Sequence, residues 1–324
     1  MIRVGILGAG GMGNVHARHY KNIAGIEVRF YDPDLERSDA FENRHDLERL
    51  DSQADLLSWA DVADVCLPTD LHCSVGLAAL AAGKHVFMEK PMAGNLGDAK
   101  TLVDAAAHAG TVFMPGQVVR FFREYRAAHD AVMKGMIGTP GAVRMRRGGL
   151  APAGGAGNWF MDHHRSGGVL IDLAIHEFDW LRWTFGEVRH LYSRSVGAKS
   201  MQGPDYALTT LTFESGVVAH VESTWMDPSG FRATFEVCGS EGMIEHDSRL
   251  VATLRTHAGG KSMNEGPLAP SDDPFFCQLS AFIDAVRTQS PPPVSASEGA
   301  SALAIALAAR ESAQTDRVVV PERF

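Results

Sequence analysis

The chain has 324 residues, 45% of them hydrophobic, and a net charge of −9. That length suggests two domains with a sizeable core. The acidic balance excludes a protein that grips nucleic acid or anionic lipid through a basic face, and no apolar run approaches the ~20 residues of a membrane span.

The amino terminus opens directly on a strand pattern, so no secretion signal is expected. Cys66, Cys73, Cys238 and Cys277 form no CxxC pair and have no zinc-ligand spacing; no metal is expected, and a reducing, cytoplasmic setting is. Cys66 lies in an apolar strand pattern and reads as a buried thiol.

Along the first 120 residues or so, short apolar runs alternate with helical patterns. The runs are Val4 to Leu7, Val28 to Tyr31, Val62 to Leu67, His85 to Met88 and Val112 to Met114. Leu71 to Ala82 and Leu96 to Ala109 are among the helical stretches between them. Continuous apolar strands alternating with helices predict a doubly wound parallel sheet covered on both faces.

Within that pattern lies Gly8-Ala9-Gly10-Gly11-Met12-Gly13, between the first strand and a helix. Gly8 allows a tight turn, Gly10 lets a pyrophosphate approach the backbone, and Gly13 permits close helix–strand packing. The free N–H groups and positive dipole of the helix start favour phosphate. Asp32, at the end of the next strand, follows Gly13 at close to the ~20-residue spacing of a ribose-binding acid. Asp32 and Asp34 would repel a 2′-phosphate, so NAD is favoured over NADP; Arg37 is read as a solvated helix charge.

The strand His85 to Met88 ends in Glu89-Lys90-Pro91. Ligands of doubly wound sheets sit at the strands' carboxyl ends, so Lys90 is placed to reach the nicotinamide end of the cofactor. Pro91 restricts Lys90 and is a candidate for a cis bond.

After residue 120 the pattern changes. A helix from Glu124 to Lys134 leads to a strand near Ala142 to Arg147, then a Gly/Ala/Pro-rich loop, Gly148 to Asn158, read as bordering the substrate. A helical pattern runs from Val169 to Phe185. Strand patterns follow at Glu187 to Ser195, Tyr206 to Phe213, Val217 to Trp225 and Phe231 to Val237. In the last, Phe231, Ala233, Phe235 and Val237 share one face. Such a succession predicts an open, mostly antiparallel sheet with one partly solvated face. Residues 256 to 273 read as a flexible excursion, and two helices close the chain, near Phe275 to Arg287 and Ala296 to Ala313. The expected organisation is a dinucleotide-binding Rossmann domain over 1–120 and a substrate-binding, oligomerising α+β domain over 121–324, with the last helices able to pack back on the first domain.

On the helix predicted over Val169 to Phe185, Asp172 and His176 stand four apart, one turn from each other on one face. Asp179 continues the stripe. A carboxylate beside an imidazole can orient it and raise its basicity, as general acid–base chemistry requires.

"GAGGMGNVHA", "PTDLH", "AGKHVFMEKPMA" and "GGVLIDLAIHEFDWLRW", in this order and spacing, resemble the Gfo/Idh/MocA oxidoreductases, which include glucose–fructose oxidoreductase and inositol dehydrogenases. The likeness extends over essentially the whole chain, to "DRVVVPERF". It implies Lys90 as the lysine that holds and polarises the substrate hydroxyl, and Asp172 with His176 as the acid–base pair. Pro68 and His72 match a P-x-x-x-H segment beside the cofactor, with Thr69 and Asp70 between them. Trp159 and Asp162 match a W-x-x-D stretch. Cofactor contacts are thus expected from Gly8, Gly10, Gly11, Met12, Gly13, Asp32, Pro68, Thr69, His72, Glu89 and Lys90, and substrate contacts from Arg120, Trp159, His163, Asp172 and His176. His163 and His164 read as facing solvent or substrate rather than a metal. The chain departs from the family at Ala174, where glycine is frequent, and at Gln117-Val118-Val119, where an asparagine commonly precedes the Arg-Phe pair kept here as Arg120-Phe121.

The implied activity is reversible hydride transfer between NAD and a secondary hydroxyl of a sugar, cyclitol or related polyol, in a homodimer or homotetramer without nucleic-acid or membrane partners. Two alternatives stay open: NAD-dependent glycosidase or lyase chemistry through transient oxidation, and a non-catalytic cofactor-bound sensor.

Overall fold

A computed structural model describes residues 1–151, 162–197, 204–250, 253–258, 261–265 and 273–324. The chain divides into two compact units. Met1–Val118 with Asp273–Ala300 form the first; Val119–Asp272 with Ser301–Phe324 form the second.

The first unit is built on six parallel strands: β1 (Ile2–Leu7), β2 (Ile26–Tyr31), β3 (Glu48–Arg49), β4 (Val62–Val65), β5 (His85–Met88) and β6 (Phe113–Pro115). Their order is β3-β2-β1-β4-β5-β6, reversing direction beside β1. Val4 pairs with Val28 on one side and Val62 on the other, and all three strands bury apolar side chains because helices cover both faces. The helices are α1 (Gly11–Tyr20), α2 (Leu35–His45), α3 (Gln53–Trp59), α4 (Thr69–Ala81) and α5 (Leu96–His108). Three begin at side-chain caps: Asp34 accepts from Arg37 N, Ser52 from Asp55 N and Asn95 from Asp98 N. Each satisfies a backbone donor that the first helical turn leaves without a partner.

The first unit also recruits α10 (Pro274–Thr288) from far along the chain. This helix packs on α1: Phe275 stacks with His19, and His19 Nε2 lies 3.3 Å from Asp273. Phe282 meets Phe87 of β5 at 5.4 Å between ring centroids.

The second unit contains α6 (Arg123–Met133), β7 (Pro140–Gly148), α7 (His163–Ser166), α8 (Gly168–Asp172), α9 (Ile175–Phe185), β8 (Val188–Gly197), β9 (Pro204–Phe213) and β10 (Val218–Thr224). Then come β11 (Arg232–Gly239), β12 (Gly242–Asp247), β13 (Leu254–Ala258) and β14 (Lys261–Glu265), with α11 (Ala296–Thr315) crossing the Ala300/Ser301 division. The sheet order is β14-β13-β12-β11-β7-β10-β9-β8. Only β7 and β10 pair in parallel; every other neighbouring pair is antiparallel.

Alternation along β11 buries Ala233, Phe235 and Val237, as the sequence predicts, while Phe231 precedes the strand and is exposed. Trp180 of α9 is fully buried against Phe235 and Tyr125. The opposite face carries ion pairs such as Arg146 with Glu222. Two readings need correction. The excursion predicted over 256–273 contains β14 and the end of β13, an edge hairpin too polar to announce itself as strand. The helix predicted from Val169 to Phe185 is broken into α8 and α9.

Candidate active site

In the first unit the predicted residues gather at the carboxyl ends of β1, β2, β4 and β5. Gly8 adopts φ +104°, and a Cβ there would stand 2.5 Å from the Cys66 carbonyl oxygen. A Cβ on Gly13 would lie 2.0 Å from the Gly8 carbonyl oxygen. At Gly10 and Gly11, by contrast, a Cβ would meet nothing within 4 Å. The first and last glycines are required by packing, and the middle two leave a bare backbone facing open space. Gly10 caps α1 with no side-chain hydrogen bond, so the helix start keeps its donors for an incoming anion.

Asp32 is 4% exposed and accepts from the N–H groups of Ala9 and Asp34, both at 2.9 Å. It thereby ties the glycine turn to the end of β2. Arg37 is not a solvated charge: it pairs with Asp32 at 3.0 Å and with Asp34 at 3.0 Å. These residues fit a dinucleotide: open backbone for the pyrophosphate, and a fixed carboxylate beside it for a ribose.

Pro68 is the N-cap of α4, and Thr69 and His72 on that helix are buried. The His72 ring lies between two carbonyls, Leu67 O and Pro91 O, each 2.8 Å from a ring nitrogen, and in its neutral form donates to one of them. Burial pushes this imidazole below its ordinary value. Expected beside the cofactor, His72 turns both ring nitrogens to main chain and braces the turn after β4 to the turn after β5. The Lys90–Pro91 bond is cis. Lys90 is partly exposed, whereas Glu89 is buried at 5% exposure and accepts the Lys90 N–H at 3.1 Å.

In the second unit, Asp172 ends α8 and His176 is the second residue of α9. Between them Ala174 N bonds back to Val169 O, a five-residue span, and His176 N reaches only to Leu173 O. Asp172 and His176 therefore flank a helix break, a widened turn followed by a tight one, instead of sharing one regular helical face. Ala174 has φ −66°, so the site makes no demand for glycine there. Asp172 is buried and His176 is partly exposed.

Gly167 and Gly168 both take positive φ, 79° and 70°. A Cβ on Gly168 would press on the His163 ring at 2.9 Å, so this glycine leaves room for the His163 ring of α7 against the start of α8. Arg120 grips Asp179 through two bonds of 2.7 Å, with both side chains almost wholly buried. Asp179, read as an extension of the acid–histidine stripe, is the partner of Arg120. Trp159 lies outside the described residues, as does most of the loop from Gly148 to Asn158.

The structure also holds residues that sequence reasoning passed over. Arg147, on the buried face of β7, donates to Glu177 Oε1 at 2.6 Å and to the Tyr125 hydroxyl at 3.0 Å. Glu177 is fully buried and directly follows His176, so this pair fixes the first turn of α9 to the sheet. Burial pushes the Glu177 carboxyl up, and Arg147 opposes that. The available signal was an arginine at a buried strand position and a glutamate inside an apolar helix. A cleft of about 640 Å³ elsewhere in the first unit, lined by His85, Phe113, Pro291 and Ser297, contains none of the predicted residues.

Comparison with known proteins covers both units. Residues 2–117 match the model of an oxidoreductase family with an NAD-binding Rossmann fold, and residues 125–245 match the Gfo/Idh/MocA C-terminal domain. A myo-inositol 2-dehydrogenase of Thermotoga maritima is 29% identical, over 98% of both chains. A 1,5-anhydro-D-fructose reductase of Ensifer adhaerens is 31% identical, covering 79% of this chain and 78% of its own. Among solved structures, a probable dehydrogenase from Thermotoga maritima superposes with a TM-score of 0.85 at 27% identity, covering 98% of each chain.

Proposed function

Because the chain belongs to the Gfo/Idh/MocA family of NAD-binding oxidoreductases, we propose that it transfers a hydride between nicotinamide and a secondary hydroxyl of a cyclitol or sugar. The observation that carries this reading is the strand-end cluster of the first unit. Bare backbone at Gly10 and Gly11, the anchored carboxylate of Asp32 and the partly exposed Lys90 belong to one sheet edge. NAD, when bound there, supplies the hydride acceptor.

The chain's own residues handle the proton and the charge. His176, with Asp172 across the helix break, takes the hydroxyl proton in the oxidative direction and returns it in the reductive one. The Lys90 ammonium stabilises the negative charge that develops on the substrate oxygen. Arg120, Trp159 and His163 are assigned to the substrate; Arg120 would do so from a position fixed by Asp179. NAD is preferred to NADP, since a 2′-phosphate would meet Asp32 and Asp34 with Arg37 already paired to both. Relatives named for inositol and for an anhydro sugar support a cyclic polyol as substrate. A homodimer or homotetramer formed on the outward sheet face, and a cytoplasmic location, complete the assignment.

Screening myo-inositol, other polyols and sugars with NAD⁺, read at the reduced-nicotinamide absorbance, tests this directly. His176→Ala should lower turnover by about 10²–10⁴ while NADH still binds. Full turnover in that variant refutes the role of His176.

A further inference from the structure

A buried polar cluster beneath Glu89 is used by neither the cofactor signature nor the proposed proton transfer. Asp64 interrupts the apolar strand β4 and is fully buried, as is His16 on the inward side of α1. His16 Nδ1 lies 2.9 Å from Asp64 Oδ2 and 3.2 Å from Cys66 Sγ. Burial drives the Cys66 thiol far upward, so it remains a neutral thiol. Burial favours the neutral imidazole of His16, but Asp64 and Cys66 together oppose it and hold the ring well above its usual value. Tyr20 edges onto the same ring, and burial pushes His19, further along α1, below its ordinary value.

A metal does not explain the cluster. His16, Asp64 and Cys66 bring possible ligand atoms within 4.8 Å of one another. Ligand atoms ~2.0 Å from one zinc in tetrahedral geometry would stand about 3.3 Å apart. The 2.9 Å from nitrogen to carboxylate is a hydrogen-bond length instead.

A protonated His16 has a second N–H, on Nε2. It faces Glu89 Oε1 at 3.2 Å, off the hydrogen-bond axis, and neither atom has a hydrogen-bond partner. The other oxygen of Glu89 accepts the backbone N–H of Lys90. Gly116 supplies the space: a Cβ there would crowd Glu89 Oε1 at 3.0 Å and Glu89 Cα at 3.3 Å. A chain of contacts therefore runs from Asp64 through His16 and Glu89 to the main chain of Lys90, all within the first unit.

We propose that Glu89 is a positioning residue rather than a cofactor ligand: with His16 Nε2 3.2 Å from one oxygen and the Lys90 N–H bonded to the other, it sets where the Lys90 ammonium stands. The proposal rests on the reading of Lys90 as the group that meets the substrate hydroxyl. His16 and Gly116 are then positioning residues one step further back.

The test compares His16→Gln, Gly116→Ala and Lys90→Ala in the full chain. NADH affinity is read by fluorescence, kcat and KM with myo-inositol and NAD⁺, and the rate of Lys90 acetylation by acetic anhydride in the NAD-free protein by mass spectrometry. Displacing a reacting group by 1 Å can cost ~10²-fold, so a shift of a few tenths should lower kcat about tenfold. NADH affinity should stay within about twofold, and Lys90 acetylation should change severalfold in both positioning variants. Unchanged acetylation and kcat in the folded variants overturns the proposal, as does a loss of NADH affinity in step with kcat, which would make Glu89 a cofactor ligand. If His16→Gln does not fold, Gly116→Ala decides, because its backbone angle suits alanine; if myo-inositol is not turned over, the acetylation rates decide. Full turnover in Lys90→Ala would defeat the catalytic reading of Lys90 and leave the acetylation result to judge the brace.

Discussion

The two units hold their proposed site residues in different ways. In the first, the restraints are close along the chain or in adjacent strand-end turns: Asp32 holds Ala9 and Asp34, and His72 ties Leu67 to Pro91. In the second, they come from ion pairs between distant segments: Arg120 on Asp179 and Arg147 on Glu177. A parallel sheet delivers many strand ends to one edge, where short turns suffice to build a site. An antiparallel sheet with helices on one face offers no such edge. The helix carrying His176 has to be fastened to β7 through its interior, and buried charge does that with high directionality.

This contrast can be tested by removing one restraint at a time. Arg147→Met should have the largest effect on stability, about 3–5 kcal/mol, because it leaves the buried Glu177 carboxylate uncompensated. Thermal or denaturant unfolding measures it, and adding Glu177→Leu should restore much of the loss. A loss below 1 kcal/mol would mean that packing alone seats α9.

The first unit should show a pH dependence traceable to His16. Its folded value is raised above the unfolded one. Its stabilising contribution is thus fully present below about pH 6.5 and fades as pH rises through the folded value. The melting-temperature gap between the native chain and His16→Gln should narrow as pH rises above about 6.5; a gap that widens would put the proton elsewhere. The smallest effect belongs to an ordinary helix start. Asn95 caps α5 by accepting from Asp98 N at 2.9 Å, and Asn95→Ala should cost about 1 kcal/mol without touching NADH affinity.

The same contrast explains what was legible in the sequence. The glycine turn, Asp32, the Lys90-Pro91 pair and the parallel strands were readable because each is a local pattern with a local cause. The break between Asp172 and His176 was not. Leu173 and Ala174 are good helix formers, and only the bond from Ala174 N back to Val169 O reveals the widened turn. Nor does sequence tell which partner a buried charge will find. Asp64 inside β4 announces that some donor must reach it, but His16 is 48 residues away in the chain. Arg37 looked like surface charge because its acids precede it so closely that they read as ribose ligands alone. The strands β12 to β14 were missed because their polar and charged residues give this sheet edge the composition of a loop.

The return of α10 to the first unit affects how this protein can be made. A nascent chain that has left the ribosome through β6 already carries every dinucleotide motif, yet α1 and Phe87 still lack their cover. That cover is translated only after the main body of the other unit. The cost of closing so long a loop grows slowly with its length, but the wait leaves apolar surface open to chaperones and to aggregation. A recombinant fragment cut after residue 120 would inherit the same exposed seam permanently.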